Sequence, residues 1–223
     1  MITCWNYGRF LAEAIESVLR QTYRDFDIMV VDDGSEDNTA SVCRNYPQVR
    51  YIHCPHRGIS AARNTAVQAA DNELLAFLDA DDQYAPEKLE KQMIYLEDHP
   101  KCRIVFCRTK NYIDPSVRNP DRKLILLQKT PVAAALHSAL FYRDVFDEVG
   151  PFNESYVKDE DTEWLLRVSA AGISTEHKLT EELYLRRIHG RNITASGPMS
   201  KEQLMRMVRS AGIVKRNGGR GNQ

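Results

Sequence analysis

Apolar runs and helix-like patterns alternate along the first half of the chain. Three short runs are rich in apolar residues, as in strands that are buried on both faces of a parallel sheet. This alternation predicts β-α-β units, and therefore an α/β fold with a mostly parallel central sheet flanked by helices. The predicted strands are residues 26–32, 49–54 and 74–78, and the predicted helices are residues 11–19, 35–46, 60–70, with Ser60 as the cap, and a segment that opens at Pro86.

The pattern of the second half is less regular. Residues 108–130 are polar and irregular, which predicts a long loop after a strand at residues 103–107. The remaining predicted elements are a strand at residues 138–142, a short helix ended by Gly150, a helix at residues 159–172, a strand at residues 182–188, and a tail helix that opens with the capping pattern Ser200-x-x-Gln203.

Length and composition are those of a globular chain. The 223 residues, 43% of them hydrophobic and 27% charged, suffice for one substantial domain. No apolar run approaches the roughly 18 residues that a membrane-spanning helix needs, and no signal-peptide pattern opens the sequence. The five scattered cysteines form no C-x-x-C pair and indicate neither a disulfide framework nor a zinc site. We therefore expect a cytoplasmic protein.

Charge is unevenly distributed, although the net charge is only −1. Residues 201–223 contain six Lys or Arg and one acidic residue, so the tail is basic and the body acidic. Such a tail is either a solvated end or a surface for anionic lipid headgroups or a phosphate-bearing partner. We separate residues 196–223, a basic helix and tail, from a domain at residues 1–195. Peripheral contact of the tail with the inner face of the membrane stays open.

Two acidic clusters follow predicted strands, Asp32-Asp33 and Asp79-Ala80-Asp81-Asp82. Ligands of parallel α/β sheets bind outside the carboxyl ends of the strands, so both clusters are predicted to face one crevice. Carboxylates repel a bare anion but bind one through Mn²⁺ or Mg²⁺, whose preferred ligands are carboxylate and phosphate oxygens. A metal-bound nucleoside diphosphate fits this pattern. The alternative interpretation is that these acids are solvated loop residues or helix caps.

Four segments resemble successive motifs of a known family. They are "NYGRFLAEAIESVLRQTYRDFDIMVVDDGSEDNT", "GISAARNTAVQAADNELLAFLDADD", "VGPFNESYVKDEDTEWLLRVSAAG" and "LYLRRIHG". In this order they are similar to the motifs of family 2 glycosyltransferases, which are inverting enzymes with a GT-A fold, over roughly residues 2–195. The resemblance implies a GT-A domain at residues 1–195. Its first strand is truncated, since the sequence starts inside that strand.

The resemblance also implies roles for eight residues. Trp5 stands where the family usually has tyrosine, and this replacement keeps an aromatic face for stacking. The implied roles are Thr3 and Trp5 around the nucleotide base, Asp33 as acceptor for the base N–H groups, Arg63 near the diphosphate, Asp79 by the ribose or sugar, Asp81 and His189 on the metal ion, and Asp161 as the general base.

The implied reaction transfers a sugar from a nucleotide donor, expected to be a UDP-sugar, to a hydroxyl of a saccharide or lipid-linked saccharide. A base must remove the proton of that hydroxyl. Only the family motif singles out Asp161, because Asp159, Glu160 or Glu163 would serve equally well as an acid that stabilises the helix dipole. Taken alone, a histidine such as His189 is more often an ordinary surface or core residue than a metal ligand.

Two other enzyme classes fit the sequence less well, and one non-enzymatic class stays open. A haloacid-dehalogenase-like phosphatase also uses an Asp-x-Asp pair, but after its first strand, whereas this pair follows the fourth predicted strand. A dinucleotide-binding dehydrogenase would carry a G-x-G-x-x-G motif, and this sequence contains none. A catalytically inactive sugar-nucleotide-binding subunit stays open as the non-enzymatic alternative. No nucleic-acid partner is expected.

Overall fold

The computed structural model describes residues 1–130, 135–175, 178–189, 192 and 201–211. The strands among these residues are β1 Ile2–Cys4, β2 Ile28–Asp32, β3 Val49–His53, β4 Leu74–Leu75, β5 Leu78–Asp79, β6 Gln83–Tyr84, β7 Ile104–Ile113, β8 Ala139–Tyr142 and β9 Lys178–Ile188. The α-helices are α1 Gly8–Leu19, α2 Thr39–Cys43, α3 Ile59–Ala69, α4 Lys88–Asp98, α5 Arg122–Lys129, α6 Arg143–Val149, α7 Glu160–Ala170 and α8 Lys201–Ser210, and a 3-10 helix at Leu136–Ser138 precedes β8.

Four parallel strands form the first sheet, in the order β3-β2-β1-β5. All residues of β1 and β2 are buried, as expected of parallel strands covered on both faces. The short β1 is an inner strand, because Thr3 pairs with Val31 on one side and with Asp79 on the other. The prediction of a parallel sheet flanked by helices is confirmed.

A second, mixed sheet has the order β4-β8-β7-β9-β6. In it, β7 pairs in parallel with β9 and antiparallel with β8. The single strand predicted at residues 74–78 is wrong, because β4 belongs to this second sheet and β5 to the first. Phe77, between the two strands, is 1% exposed. The apolar run therefore continues across the break and hides the change of sheet.

The long loop predicted at residues 108–130 is also wrong. β7 continues to Ile113, and α5 occupies Arg122–Lys129. The residues of β7 after Cys107 are exposed or half-buried, so their polar character reflects a sheet face that is partly open to solvent. α5 has no buried residue. Its start is nevertheless capped, since the side chain of Asp121 accepts the N–H of Leu124 at 2.8 Å.

The start of α3 differs from the prediction. The helix begins after Gly58, whose φ of 94° suits a residue without a Cβ, so Ser60 is not its cap. The hydroxyl of Ser60 donates instead to the carbonyl of Tyr156, 3.2 Å away, and ties α3 to the segment before α7. The predicted capping pattern at Ser200 lies outside the described residues, and α2 is shorter than predicted.

The helices close two large apolar clusters against the sheets. One cluster joins α3, α6 and α7 around four aromatic residues that are at most 2% exposed: Phe77, Phe141, Phe152 and Trp164. The other joins α1 to β1, β2 and β6. These clusters hold the carboxyl ends of the parallel strands at one edge of the molecule. Within the described part of the chain, no helix has the length and apolar character needed to cross a bilayer.

Candidate functional site

The loops after β1, β2 and β3 meet at the carboxyl edge of the first sheet, where open parallel sheets bind ligands. Trp5 follows β1, Asp33 follows β2, and His56 lies in the loop after β3. The indole of Trp5 and the imidazole of His56 stack, with ring centroids 4.2 Å apart and planes inclined by 12°. Trp5 is 47% exposed, so much of the indole faces the crevice and the solvent.

The buried carboxylate of Asp33 organises the loop after β3. Its Oδ1 accepts the N–H of Arg57 at 2.8 Å, and its Oδ2 accepts the N–H of Gly58 at 2.8 Å. Nδ1 of His56 lies 2.7 Å from the same Oδ2. Asp33 therefore shapes the crevice wall as well as carrying a negative charge into it.

Two residues other than glycine have positive φ in the described part of the chain, Asn6 at 56° and Asp159 at 64°. Asn6 follows Trp5, and Asp159 is the N-cap of α7, directly before Glu160 and Asp161. Such left-handed conformations cost energy in L-residues and persist where surrounding contacts enforce them, often at functional sites. Both lie beside residues that the sequence singled out.

A buried ion-pair network joins α3 to α7 and to the end of β5. The guanidinium of Arg63 contacts the carboxylate of Glu160 and, at 3.2 Å, that of Asp79. Burial opposes the charge of Arg63, but the two carboxylates outweigh it and raise the pKa of the guanidinium. Burial also raises the pKa of Glu160, and the charge of Arg63 opposes that rise. Arginine keeps its proton in proteins, so Arg63 carries a buried positive charge between the two carboxyl groups.

Asp81 and His189 form a candidate cation site. Nε2 of His189 lies 3.0 Å from Oδ2 of Asp81, and the amide of Asn192 donates to the same oxygen at 3.1 Å. Nδ1 of His189 is 3.5 Å from a guanidinium nitrogen of Arg9. Because arginine only donates, Nδ1 is the acceptor of that contact. A cation bound at this site would take the lone pair of Nε2.

The donor set suits Mn²⁺ or Mg²⁺ held partly by its substrate. The described ranges contain no group of three or more His, Cys, Asp or Glu side chains arranged for a metal ion. These cations commonly bind one or two protein groups and complete their coordination with phosphate oxygens and water. One carboxylate and one imidazole in contact therefore fit such an ion, and the imidazole favours Mn²⁺ over Mg²⁺.

Asp82 is held by β9 rather than open to the crevice. Its Oδ2 accepts the hydroxyl of Tyr184 at 2.6 Å, and its Oδ1 accepts the N–H of Arg187 at 2.7 Å. Burial, with the charges of Asp81 and Asp79, raises the pKa of Asp82 well above its usual range. Nε of Arg187 also donates to the carbonyl of Asp81 at 2.9 Å. These contacts hold the acidic turn, residues 79–82, against β9.

Asp161 lies in the first turn of α7 and is partly exposed. Its Oδ1 accepts the N–H of Thr162 at 2.7 Å, and no hydrogen bond to Oδ2 occurs among the described residues. His137, in the 3-10 helix, packs on Tyr184 with ring centroids 4.2 Å apart. Burial lowers the pKa of His137 to about 4, against the opposing charges of Asp79 and Asp161.

Among the eight residues singled out by the sequence, the structure brings Arg63 to Asp79 and Asp81 to His189, and the roles of all eight stay predictions. Of the three residues predicted around the base, Asp33 is 4% exposed, Thr3 is 8% exposed within β1, and Trp5 is 47% exposed. Sequence reasoning missed the parts played by Glu160, Asp82 and Asn192. The first two were visible as extra acids in "KDEDTEW" and "LDADD". Their burial and their partners were not visible, because those partners lie about a hundred residues away in the sequence.

The sequence model of the family described as Glycosyl transferase family 2 matches residues 1–152 of the 223. The chain belongs to this family. The family 2 match includes Arg63 and the acidic turn, but it ends before Asp161 and His189. The positions of those two residues therefore rest on the resemblance of later motifs and on the geometry above.

Relatives within the family are mostly longer proteins. An uncharacterized glycosyltransferase of Rickettsia felis is 31% identical over 152 residues, which are 67% of this chain and 23% of that protein. The chondroitin synthase of Escherichia coli is 28% identical over 207 residues, 86% of this chain and 29% of the synthase. The family 2 chain thus spans about a quarter of the length of these relatives.

Solved structures share the fold. TarS 1-349 of S. aureus in complex with UDP-GlcNAc has a TM-score of 0.74 and 17% identity, over 95% of this chain and 64% of that one. The mannosyltransferase PcManGT of Pyrobaculum calidifontis in complex with GDP-Man and Mn²⁺ has a TM-score of 0.69 and 20% identity, over 96% and 64%. The predicted GT-A fold is confirmed by these similarities.

Proposed function

We propose that the chain is a glycosyltransferase that moves a sugar from a nucleoside-diphosphate sugar to an acceptor hydroxyl, with a divalent cation and with inversion at the anomeric carbon. The observation that carries this proposal is the contact between Asp81 and His189, 108 residues apart in the sequence, at the carboxyl edge of the sheets. Carboxylates at this edge repel a bare diphosphate but accept one that arrives with Mn²⁺ or Mg²⁺.

The proposed donor is a UDP-sugar. Trp5 offers an exposed indole for stacking, and the carboxylate of Asp33 can accept the imide N–H of a pyrimidine base. Thr3 lies in the strand directly before Trp5 and completes the proposed base site. The UDP-GlcNAc complex of TarS supports this choice. The GDP-Man complex of PcManGT makes a GDP-sugar the donor to test against it.

The mechanism assigns one task to each side of the sugar. A cation held by Asp81 and His189 would stabilise the charge that develops on the leaving diphosphate. Oδ2 of Asp161 takes the proton of the acceptor hydroxyl while the hydroxyl oxygen forms its bond to the anomeric carbon. The bond from that carbon to the diphosphate breaks on the opposite face, so a single displacement inverts the configuration. Arg63, on the diphosphate side, holds Asp79 toward the ribose or sugar.

The proposed acceptor is a saccharide or a lipid-linked saccharide. α8 exposes Leu204 at 42% and Met205 at 40%, between the cations Lys201 and Arg209. Apolar residues flanked by cations suit peripheral contact with anionic headgroups. Anionic vesicles should therefore retain the full chain more strongly than a chain ending at Met199, and neutral vesicles should retain neither. Equal retention on anionic vesicles contradicts this role of the tail.

The deciding experiment combines calorimetry with an assay of UDP release. UDP should bind with Mn²⁺ and lose that binding in a chelator. Asp81→Ala should remove the metal-dependent part, whereas Asp98→Ala, an exposed acid at the end of α4, should not. UDP binding that is equally tight in the chelator contradicts the metal role. Donor binding without UDP release on any saccharide acceptor favours the inactive sugar-nucleotide-binding subunit instead.

A further inference from the structure

The imidazole of His56 lies where Trp5 and Asp33 meet. It stacks on the indole of Trp5 with planes inclined by only 12°. Its Nδ1 is 2.7 Å from Oδ2 of Asp33 and 3.0 Å from the carbonyl oxygen of the same residue. Because both oxygens can only accept, Nδ1 carries the proton and donates to Asp33.

These are the contacts that a pyrimidine base would make in the proposed site. Uracil is a flat ring with an imide N–H, which would stack on Trp5 and donate to the carboxylate of Asp33. The imidazole of His56 already provides a flat ring on that indole and a ring N–H on that carboxylate. Two rings cannot use the same face and the same oxygen lone pair at once.

The side chain of His56 can leave while its backbone stays. The side chain is 47% exposed, so the imidazole has solvent beside it to rotate into once the stack on Trp5 and the hydrogen bond to Asp33 are given up. The backbone of His56 packs closely on Gly34, where an added Cβ would lie only 2.7 Å from the backbone nitrogen of His56. Asp33 is fixed, since it keeps the N–H groups of Arg57 and Gly58 after the imidazole departs.

We propose that His56 is an internal competitor of the nucleobase: its imidazole occupies the base site, and the donor binds by displacing it. This inference rests on the proposed function, which assigns Trp5 and Asp33 to the base. When only a fraction of molecules has the site open, the apparent dissociation constant rises by the inverse of that fraction. If about a tenth are open, removing the imidazole tightens binding about tenfold.

The test compares UDP with inorganic pyrophosphate, which lacks the base, by calorimetry with Mn²⁺. His56→Ala should tighten UDP binding about tenfold and leave pyrophosphate binding unchanged. The matched control is His53→Ala, which removes an exposed imidazole that lies 3.6 Å from Asp32 at the end of β3. His53→Ala should leave the binding of both UDP and pyrophosphate unchanged.

Unchanged or weaker UDP binding by His56→Ala, with pyrophosphate unaffected, overturns the proposal, since His56 is then inert or a supporting wall of the base site. If the wild type binds no nucleoside diphosphate more tightly than it binds pyrophosphate, the base adds nothing to binding, and the proposed function itself fails at the base site. If His56→Ala binds neither ligand because its loop has collapsed, the test is an NMR titration of the wild-type protein. The chemical shifts of the His56 ring protons, which reflect stacking on Trp5, should change on saturation with UDP and Mg²⁺ but not with pyrophosphate. Ring signals that UDP does not move overturn the proposal.

Discussion

The ion pair between Arg63 and Glu160 allows a quantitative prediction. Their side chains are 3% and 6% exposed, so water cannot replace a lost partner. Removing one member of a buried pair typically costs about 3–5 kcal/mol, because the other charge stays buried. In Glu160→Gln, Arg63 keeps its contact with Asp79 at 3.2 Å. We therefore expect the lower end, about 3 kcal/mol, or a drop in Tm of about 6–12 °C for a chain of this size.

The assay is urea unfolding with Glu163→Gln as the matched control. Glu163 is buried on the same helix, but its partner Arg167 is 20% exposed and also donates to the carbonyls of Val149 and Pro151. Arg167 thus keeps partners after the substitution, and the cost should be about 1 kcal/mol. If Glu160→Gln costs no more than Glu163→Gln, the network does not anchor α7 and the reasoning is refuted.

Three other substitutions separate chemistry from stability. Asp161→Asn keeps the side-chain size and removes the accepting charge, so kcat should fall about 10²–10⁴-fold with donor Kd unchanged, and lost donor binding would refute the role as base. The pKa of His137 is lowered from 6.5 to about 4, so its contribution of about 3 kcal/mol should be complete above pH 6.5 and disappear toward pH 4. His137→Phe should flatten that slope in urea melts. Tyr184→Phe leaves Oδ2 of Asp82 without its hydroxyl donor and should cost about 1–3 kcal/mol, and an unchanged urea midpoint would contradict that contact.

Local patterns in the sequence determined the parallel sheet and the edge at which the site lies. Short apolar runs bounded by turn residues indicate buried strands, and the carboxyl ends of parallel strands lie at one edge whatever the rest of the chain does. Asp33 and the turn from Asp79 to Asp82 therefore had to meet there. The same local patterns failed at residues 74–78 and 108–130, because a break between two sheets and a polar-faced strand leave no periodic signal.

Only the tertiary structure decided which acid does what. Asp81, Asp82 and Glu160 are chemically alike in the sequence, yet Asp81 contacts His189 and Asn192, Asp82 accepts the hydroxyl of the buried Tyr184, and Glu160 pairs with Arg63. The difference comes from partners in distant segments, since the pKa and accessibility of a carboxylate depend on the charges and burial around it. For the same reason the stack of His56 on Trp5 has no sequence signature: it exists only because the loops after β1 and β3 fold against each other.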